Sequence, residues 1–554
     1  MNHEYPVRAI DHIWKGRLWV HEHNWGGTNG RISDAVKLAR AREGYRLADE
    51  VNRDALAALA GAVSVQNRGV PLVVFNSLAW PRRDIVDPIV SLAEPGQREP
   101  RLVDGSGRTV AAQFNVLARH ADGSIARIRT IFTADAPALG YATFYLSQGK
   151  ESTPNPFKIS DHEIENRFYR VRLDPRTGGI ASIYDKQNQR EWIKSDVYRA
   201  HELVAMENLG VDEAEEFTEK WWRMDEKPVA VTMTERGPVR TTFRIEGTLL
   251  NSRTIQTISL YADLPRIDLE TRLNWNGQKA IQVNAAFPFH LPNGRVTYEV
   301  PFGDVEYGQE NPAAKACHPT VRAANNWIDL SNEEMGITLA TEVTPFDLKD
   351  RRDERFRDAR VIQGIAAPDT FHIFWGGAYT PFTRVALTDP ILLQTDFVIQ
   401  PILLRSVFSC GDANLYFTQP GEHVYRFSIT THPGALVRHE ATRQGLEHNA
   451  PLQVVCVKAG SGTRADSASF ISVSQPNVIV SVVKKAEKGK GLVLRCYETD
   501  GQDAQVTMAF AKPVRAAWHT DLIERDGKPA HIVNGRLVVA IGRHAIETYR
   551  LVFE

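Results

Sequence analysis

The sharpest chemical signal in this chain is His21-Glu22-His23, which runs into Asn24-Trp25-Gly26-Gly27-Thr28. On a strand, a His-x-His pair puts both imidazoles on one side, where they could share a metal. On a helix, positions i and i+2 do not face each other, and no further ligand lies nearby in sequence. The stretch Glu207 to Lys227 sets Glu207, Asp212, Glu213, Glu215, Glu216 and Glu219 beside Trp221 and Trp222. Acidic residues next to aromatic platforms are what sugar sites use to bind hydroxyls and stack on pyranose faces. The same composition describes a solvated acidic loop with two core tryptophans, and that is the simpler expectation. Asp350-Arg351-Arg352-Asp353-Glu354-Arg355 lies between two β stretches. Mixed-sign runs of this kind usually pair among themselves at the surface. Cys317, Cys410, Cys456 and Cys496 are far apart and show no CxxC or CxH spacing. Neither a disulfide framework nor a structural zinc site is indicated, and four reduced thiols are expected.

The elements that must position these residues are mostly strands. Along Phe168 to Leu173 the residues Tyr169, Val171 and Leu173 fall on one face and Phe168, Arg170 and Arg172 on the other. That alternation is the mark of a half-buried strand. Asp174-Pro175-Arg176-Thr177-Gly178-Gly179 then forces a tight reversal, and Ile180 to Tyr184 returns as a second strand. A lone hairpin is not stable in water, so its apolar face must seed a larger sheet. Earlier, from Ser33 as N-cap, Ala35, Val36, Ala39, Leu47, Ala48, Val51, Ala55, Leu59 and Val63 recur at helical spacing. This predicts one long amphipathic helix of about 45 Å, which needs helical partners or a β face to cover its stripe.

Composition shifts place the boundaries. Residues 1–66 read as the helical segment, 67–152 as a small β domain, 153–449 as a large β unit and 450–554 as a final β-sandwich. Thr153-Pro154-Asn155-Pro156 reads as a linker, and Ala435 to Asn449 as a short helix before the last sandwich. With 66 Lys+Arg against 67 Asp+Glu the net charge is -1, so no overall field favours nucleic acid or an anionic membrane. The N-terminus lacks an apolar leader core, and no run approaches the length of a membrane helix. A soluble, cytoplasmic protein is expected.

The segment Glu165-Asn166 through Lys186, of the form E-N-x-x-Y-x-V-x-L-D-x-x-x-G-G-I-x-S-I-Y-D-K, resembles the opening of the large β domain of glycoside hydrolase family 38, the α-mannosidase family. Val73 to Trp80 resembles the family's entry into its first small β domain. Asn326-Trp327-Ile328-Asp329-Leu330-Ser331 with Gly336, Leu403-Leu404-Arg405-Ser406, Gly421-Glu422-His423 and His448-Asn449-Ala450-Pro451-Leu452 follow in the family's order. The resemblance covers roughly residues 15 to 554. It implies a mainly β fold, a galactose mutarotase-like β-supersandwich with smaller β-sandwich domains, and an N-terminal long helix left from a helical bundle. It also implies carbohydrate binding and zinc-dependent, retaining hydrolysis of α-mannosidic bonds. His23 is similar in place to a zinc-binding His of the family's bundle, although Asn24 stands where Asp is usual. Asp350-Arg351-Arg352 resembles a segment that in some members reaches from the β domain into the sugar site. Arg351, Arg352, Trp221 and Trp222 are therefore the substrate-binding candidates.

In the family the remaining zinc ligands, the nucleophile and the acid/base lie in an N-terminal α/β domain, whereas only about twenty residues precede His23 here. The His-x-Asp at His519-Thr520-Asp521 falls in the C-terminal β region and reads as a strand-end polar cluster. Retaining glycosidases need two carboxyl groups about 5 to 5.5 Å apart, and the sequence offers no matched pair. The expectation is a C-terminal portion that is inactive and holds no zinc tightly by itself. The substrate implied is an α-mannoside. The uncovered helix stripe would favour a homo-oligomer. One alternative is a non-catalytic subunit that completes the site of a separately encoded N-terminal catalytic half. The other is a stand-alone sugar lyase or mutarotase-like enzyme, which would need a His, Tyr or Glu constellation in one cleft of residues 157–435.

Overall fold

Tyr169–Leu173 pairs antiparallel with Ile180–Asp185, as the alternation predicts. Tyr169, Val171 and Leu173 point into the core and Arg170 and Arg172 to solvent. The reversal is closed by Gly178 N–H on Asp174 O at 2.8 Å, with the Asp174 carboxylate accepting from Arg176 N at 2.8 Å and Arg199 Nε at 2.7 Å. Gly178 sits at φ 73°, and a Cβ there would lie 2.3 Å from Ile245 Cγ2. Glycine is therefore required both by the backbone conformation and by the packing.

The coordinates are a computed structural model that describes residues 5–20, 30–66, 68–150, 153–210, 217–309, 322–342, 344–350, 370–375, 378–383, 397–407, 416–458 and 462–554. The hairpin belongs to a five-stranded sheet that shares one core with two larger sheets. The nine-stranded sheet runs in the order Ala230–Arg236, Arg240–Leu249, Ser252–Tyr261, Ile267–Trp275, Gly421–Pro433, Met335–Thr341, Trp327–Ser331, Arg295–Val300, Gly303–Glu306. The six-stranded sheet runs Phe217–Arg223, Glu202–Asn208, Ile281–Ala286, Phe397–Ser406, Thr344–Asp350, Arg322–Ala324. Phe243, Ile258 and Leu269 of the former meet Val283, Ala285 and Ile399 of the latter in one continuous apolar core. This is the β-supersandwich expected from the sequence, built by sheet faces that each alternate apolar and polar residues.

Two smaller sandwiches flank it. The C-terminal one packs a four-stranded on a five-stranded sheet between residues 471 and 553, around Leu494, Val506, Leu537 and Leu551. The N-terminal one has its own core around Leu72, Ile128, Phe132 and Leu146. The division drawn at 450 is crossed by this domain. Gln453–Cys456 pairs with Val70–Asn76, and Ser467–Ser469 pairs with Gly140–Gln148. The chain thus returns to its first β unit before building its last, because Val70–Asn76 would otherwise stand as an open sheet edge.

The helical segment also differs from its reading. It is a hairpin of two helices, α1 (Val7–Val20) and α2 (Gly30–Gly61). Only the C-terminal end of α2 is seated, where Leu56, Leu59, Ala60 and the following Val63 pack on Val73, Phe75 and Tyr141. Farther out the proposed stripe is not a buried face: Ala35, Val36, Ala39, Ala48 and Ala55 are exposed, and Leu47 and Val51 only half-buried. On α1, Trp14 and Leu18 are 59% and 67% exposed. The third helix among the described residues, α3 (Arg438–Asn449), lies where a short helix was expected.

Val171 has no solvent exposure. Val171→Asp would leave an unpaired carboxylate in the main core at a cost of several (roughly 3 to 5) kcal/mol. The variant is expected to be insoluble or to unfold at much lower denaturant, and an unchanged unfolding midpoint would place Val171 outside the core.

Candidate functional site

His21 and His23 lie outside the described residues, as do Arg351 and Arg352, which follow directly on the strand Thr344–Asp350. Trp221 and Trp222 are in the edge strand Phe217–Arg223, opposite Met206 and Ala205. Consecutive strand residues face opposite ways. Trp222 accordingly packs on the main core, while Trp221 packs on Tyr198, Val204 and Met206 beyond the sheet's other face. The two rings are not brought together as one platform. Arg223 fixes the Trp221 side: it grips fully buried Glu202 with Nε–Oε1 at 2.6 Å and Nη2–Oε2 at 2.8 Å, and lies over the Tyr198 and Trp221 rings. Glu207 accepts from Thr218 Oγ1 at 2.8 Å and Lys220 Nζ at 3.0 Å, contacts that hold its carboxyl below the usual range. Of the acidic run, Asp212, Glu213, Glu215 and Glu216 fall outside the described residues. On the same sheet a row of buried amides runs from Asn208 through Gln282 and Asn284 to Gln400, at 3.2, 3.3 and 3.0 Å.

The richest polar constellation surrounds α3, and it gathers several of the motifs that carry the family resemblance. Arg438 Nε donates to both oxygens of Asp304 at 3.0 Å. His439 Nδ1 lies 2.6 Å from Asp500 Oδ2 of the C-terminal sandwich. Trp327 Nε1 donates to Thr442 Oγ1 at 3.3 Å. Trp80 Nε1 of the N-terminal sandwich donates to Glu447 Oε1 at 2.7 Å, and Arg82 Nη2 to Ala450 O at 2.5 Å. Asn449 Nδ2 donates to Asn326 Oδ1 and Thr341 O at 2.8 and 2.9 Å, and Asn326 Nδ2 donates to Glu299 Oε2 at 2.5 Å. The helix passes so close to the sheet that a Cβ on Gly445 would lie 2.7 Å from Asn326 Cβ.

Two clusters here contain residue types used in catalysis. Ser428 Oγ donates to Asp268 Oδ1 at 2.6 Å and lies 2.8 Å from His448 Nδ1, whose Nε2 faces Arg426 O at 3.3 Å. A nucleophilic serine gives its proton to an imidazole whose other nitrogen is held by the carboxylate. Here the carboxylate accepts the hydroxyl's hydrogen bond directly. Burial would raise Asp268, but Arg266, Ser428 and Tyr261 hold it ionised below its usual range, while burial pushes His448 down. The arrangement is a strut. In the second cluster His432 Nε2 lies 3.1 Å from Asp329 Oδ2, which also accepts from Thr338 Oγ1 at 2.7 Å. Burial would lower His432, and the bond to Asp329 outweighs it and raises its pKa. Among the described residues no three His, Cys, Asp or Glu side chains converge to hold a metal ion, so these residues do not by themselves fit a zinc.

Sequence reasoning missed Glu299, Asp304 and Arg438. Glu299 and Asp304 stand directly opposite across neighbouring strands, with Tyr497 of the C-terminal sandwich nearby. The available signal was the polar series Arg295, Thr297, Glu299 on one strand face, which had to be covered by something polar.

Residues 164–344 match the Glycosyl hydrolases family 38 C-terminal domain, and residues 477–549 the Glycosyl hydrolases family 38 C-terminal beta sandwich domain. Alpha-mannosidase G of Dictyostelium discoideum is 24% identical over 380 residues, covering 66% of this chain and 29% of that protein. Alpha-mannosidase 2C1 of Homo sapiens is 24% identical over 384 residues, covering 67% and 31%. The crystal structure of an alpha-mannosidase from Enterococcus faecalis V583 shares the fold with a TM-score of 0.71 at 16% identity, over 100% of this chain and 64% of that one. The fold is thus that of a family-38 hydrolase's β region, and the chain spans under a third of the length of these curated relatives. Residues 164–344 and 477–549 are thus identified with the C-terminal domains of glycoside hydrolase family 38.

Glu299 is 5% exposed, and burial pushes its carboxyl up from 4.5 to about 7 despite the Asn326 bonds, with Asp304 adding to the rise. The folded state therefore keeps a proton that the unfolded chain releases between these values. Stability from this group is present below about pH 4.5 and is lost as pH rises to about 7. Glu299→Gln is expected to match the parent near pH 4.5 and to exceed it at pH 8 by up to about 3 kcal/mol. Denaturant titrations at both pH values test this, and an equal difference at the two would show that Glu299 does not titrate in that window.

Proposed function

We propose that this chain is the β portion of an α-mannosidase, acting on α-mannosidic bonds together with a catalytic α/β domain contributed by an N-terminal half. The observation that carries the reading is that two separate family-38 C-terminal models match in order along one chain whose curated relatives are named α-mannosidases. The described residues hold the α3 junction and a core, and by chemistry neither supplies a nucleophile. His23 contributes one ligand to a zinc completed by the catalytic half. Arg351 and Arg352 are the candidates to bind the sugar, with Trp221 on the strand Phe217–Arg223. Trp222 serves the core. The exposed apolar face around Trp14 and Leu18 supports association, with the catalytic half or with a second copy of the chain. Among the described residues no helix is long and apolar enough to cross a membrane, and Cys456 and Cys496 are free thiols; reduced thiols suit the cytoplasm, which fractionation of cells would test.

The chain alone is expected neither to retain zinc nor to hydrolyse an aryl α-mannoside, because one imidazole gives a catalytic zinc neither affinity nor geometry. Adding a polypeptide with the family's α/β domain should restore both, and His23→Ala should abolish them. Sedimentation of the same samples reads whether copies of the chain associate before the catalytic half is added. Stoichiometric zinc with turnover by the single chain would overturn the reading, and restoration insensitive to His23→Ala would remove His23 as a ligand.

A further inference from the structure

At the far end of the nine-stranded sheet, a cleft of about 530 Å³ opens between strand Arg295–Val300, the loop after Leu291, the turn 332–334 and the segment leading into α3. Its walls are tied together. Asn332 Oδ1 accepts from Glu334 N and Met335 N at 2.9 and 3.1 Å, while its Nδ2 donates to Pro292 O at 3.2 Å. Gly434 N donates to Glu334 O at 2.6 Å, which fixes the same turn to the approach of α3. A cleft held in shape before binding loses little on ordering when a ligand enters.

Some of the polar groups facing the cleft are spent, Arg438 on Asp304 and Asn332 on its own turn, and others are left for a ligand. Among the described residues, the Glu333 and Glu334 carboxylates and the Thr297 and Ser331 hydroxyls have no hydrogen-bond or ion-pair partner. Arg295 reaches Glu306 only at 3.8 Å, and Arg190 donates to the carbonyl of His290 at 2.8 Å and feels the charge of Glu334 across the cleft without a salt-bridge contact. Three arginines and three glutamates line the cleft, so their formal charges cancel. A phosphate or sulfate would meet the glutamates, and a cation would meet the arginines. A neutral polyol suits both, because each hydroxyl donates to a carboxylate and accepts from a guanidinium. Leu291 and Met335 add the apolar surface that the C–H edges of a sugar ring need.

We propose that this cleft binds a neutral oligosaccharide, held between Arg190 and Arg295 on one side and Glu333 and Glu334 on the other. The expectation that mannose is the sugar rests on the α-mannosidase reading above; the neutral-saccharide chemistry does not. The volume falls within the usual range of small-molecule sites, about 300 to 1,000 Å³.

The test is calorimetry and saturation-transfer NMR on the full chain, with α-linked mannotriose, maltotriose and a sulfated disaccharide as probes. Mannotriose is expected to bind, and Arg295→Ala and Glu334→Ala each to weaken it by about tenfold without changing the unfolding midpoint. Binding of maltotriose in place of mannotriose, with the same sensitivity, would support the cleft and count against the α-mannosidase reading. Absence of binding by either neutral sugar, affinity indifferent to both variants, or preference for the sulfated probe would overturn the proposal. All of these readouts are taken without a catalytic domain, so a failed reconstitution of turnover bears on the hydrolase reading alone.

Discussion

A twelve-residue helix, α3, touches all three β units and reinforces their direct contacts, such as Arg266 with Asp84 at 2.9 Å and Phe302 with Tyr497. Its sequence RHEATRQGLEHN has little apolar surface to bury, and what it offers instead is one polar side chain after another aimed at a different neighbour. Arg438, Thr442, His448 and Asn449 bind the supersandwich, His439 binds the C-terminal sandwich and Glu447 binds Trp80 of the N-terminal one. A single hydrogen bond of this kind contributes about 1 kcal/mol, but leaving its buried partner unsatisfied costs about 1 to 3 kcal/mol. Registry between domains is therefore enforced more by what misplacement would strand than by what each contact adds. The returning strand Gln453–Cys456 reinforces this, since it carries the chain from α3 directly back into the first sheet.

The same sheet face explains why the open cleft sits where it does. The outer face of the nine-stranded sheet is covered by α3 along Asn326, Thr430 and Ser428, and beyond Arg438 the cleft opens over the buried Thr297 and Ser331. Arg438 belongs to both, pairing Asp304 on the helix side and bordering the cleft on the other. Polar residues that α3 uses for docking are thus continued by residues of the same kind that have nothing docked on them.

Much of the β architecture was legible in the sequence because period-2 alternation is local: Tyr169, Val171 and Leu173 fall inward as read, and α3 lies within the stretch expected to be helical. What escaped was set by partners far away. The return of Gln453–Cys456 depends on an edge nearly four hundred residues earlier, which no local pattern reveals. Helix α1 was passed over although Ile10, Ile13, Gly16 and Val20 recur at helical spacing on its more covered side, because Trp14, Leu18 and Trp19 blur that stripe. That Trp221 and Trp222 sit on opposite faces follows from a rule available in the sequence, since neighbours on a strand face opposite ways. For the candidate site, motifs such as Asn326-Trp327 and His448-Asn449 were visible as resemblance, but their work as the seat of a helix needed the fold. Glu299 gave only the faint signal of a polar residue in an alternating strand.

The central claim, that α3 couples the three β units, is tested most directly by differential scanning calorimetry of the chain beside a His439→Ala, Glu447→Ala, Asn449→Ala triple variant. The account predicts one cooperative endotherm for the parent chain, with calorimetric and van't Hoff enthalpies in agreement. The variant should split into separate transitions, with the N-terminal sandwich melting apart from the supersandwich. Separate transitions already present in the parent, or a single undivided transition in the variant, would contradict it.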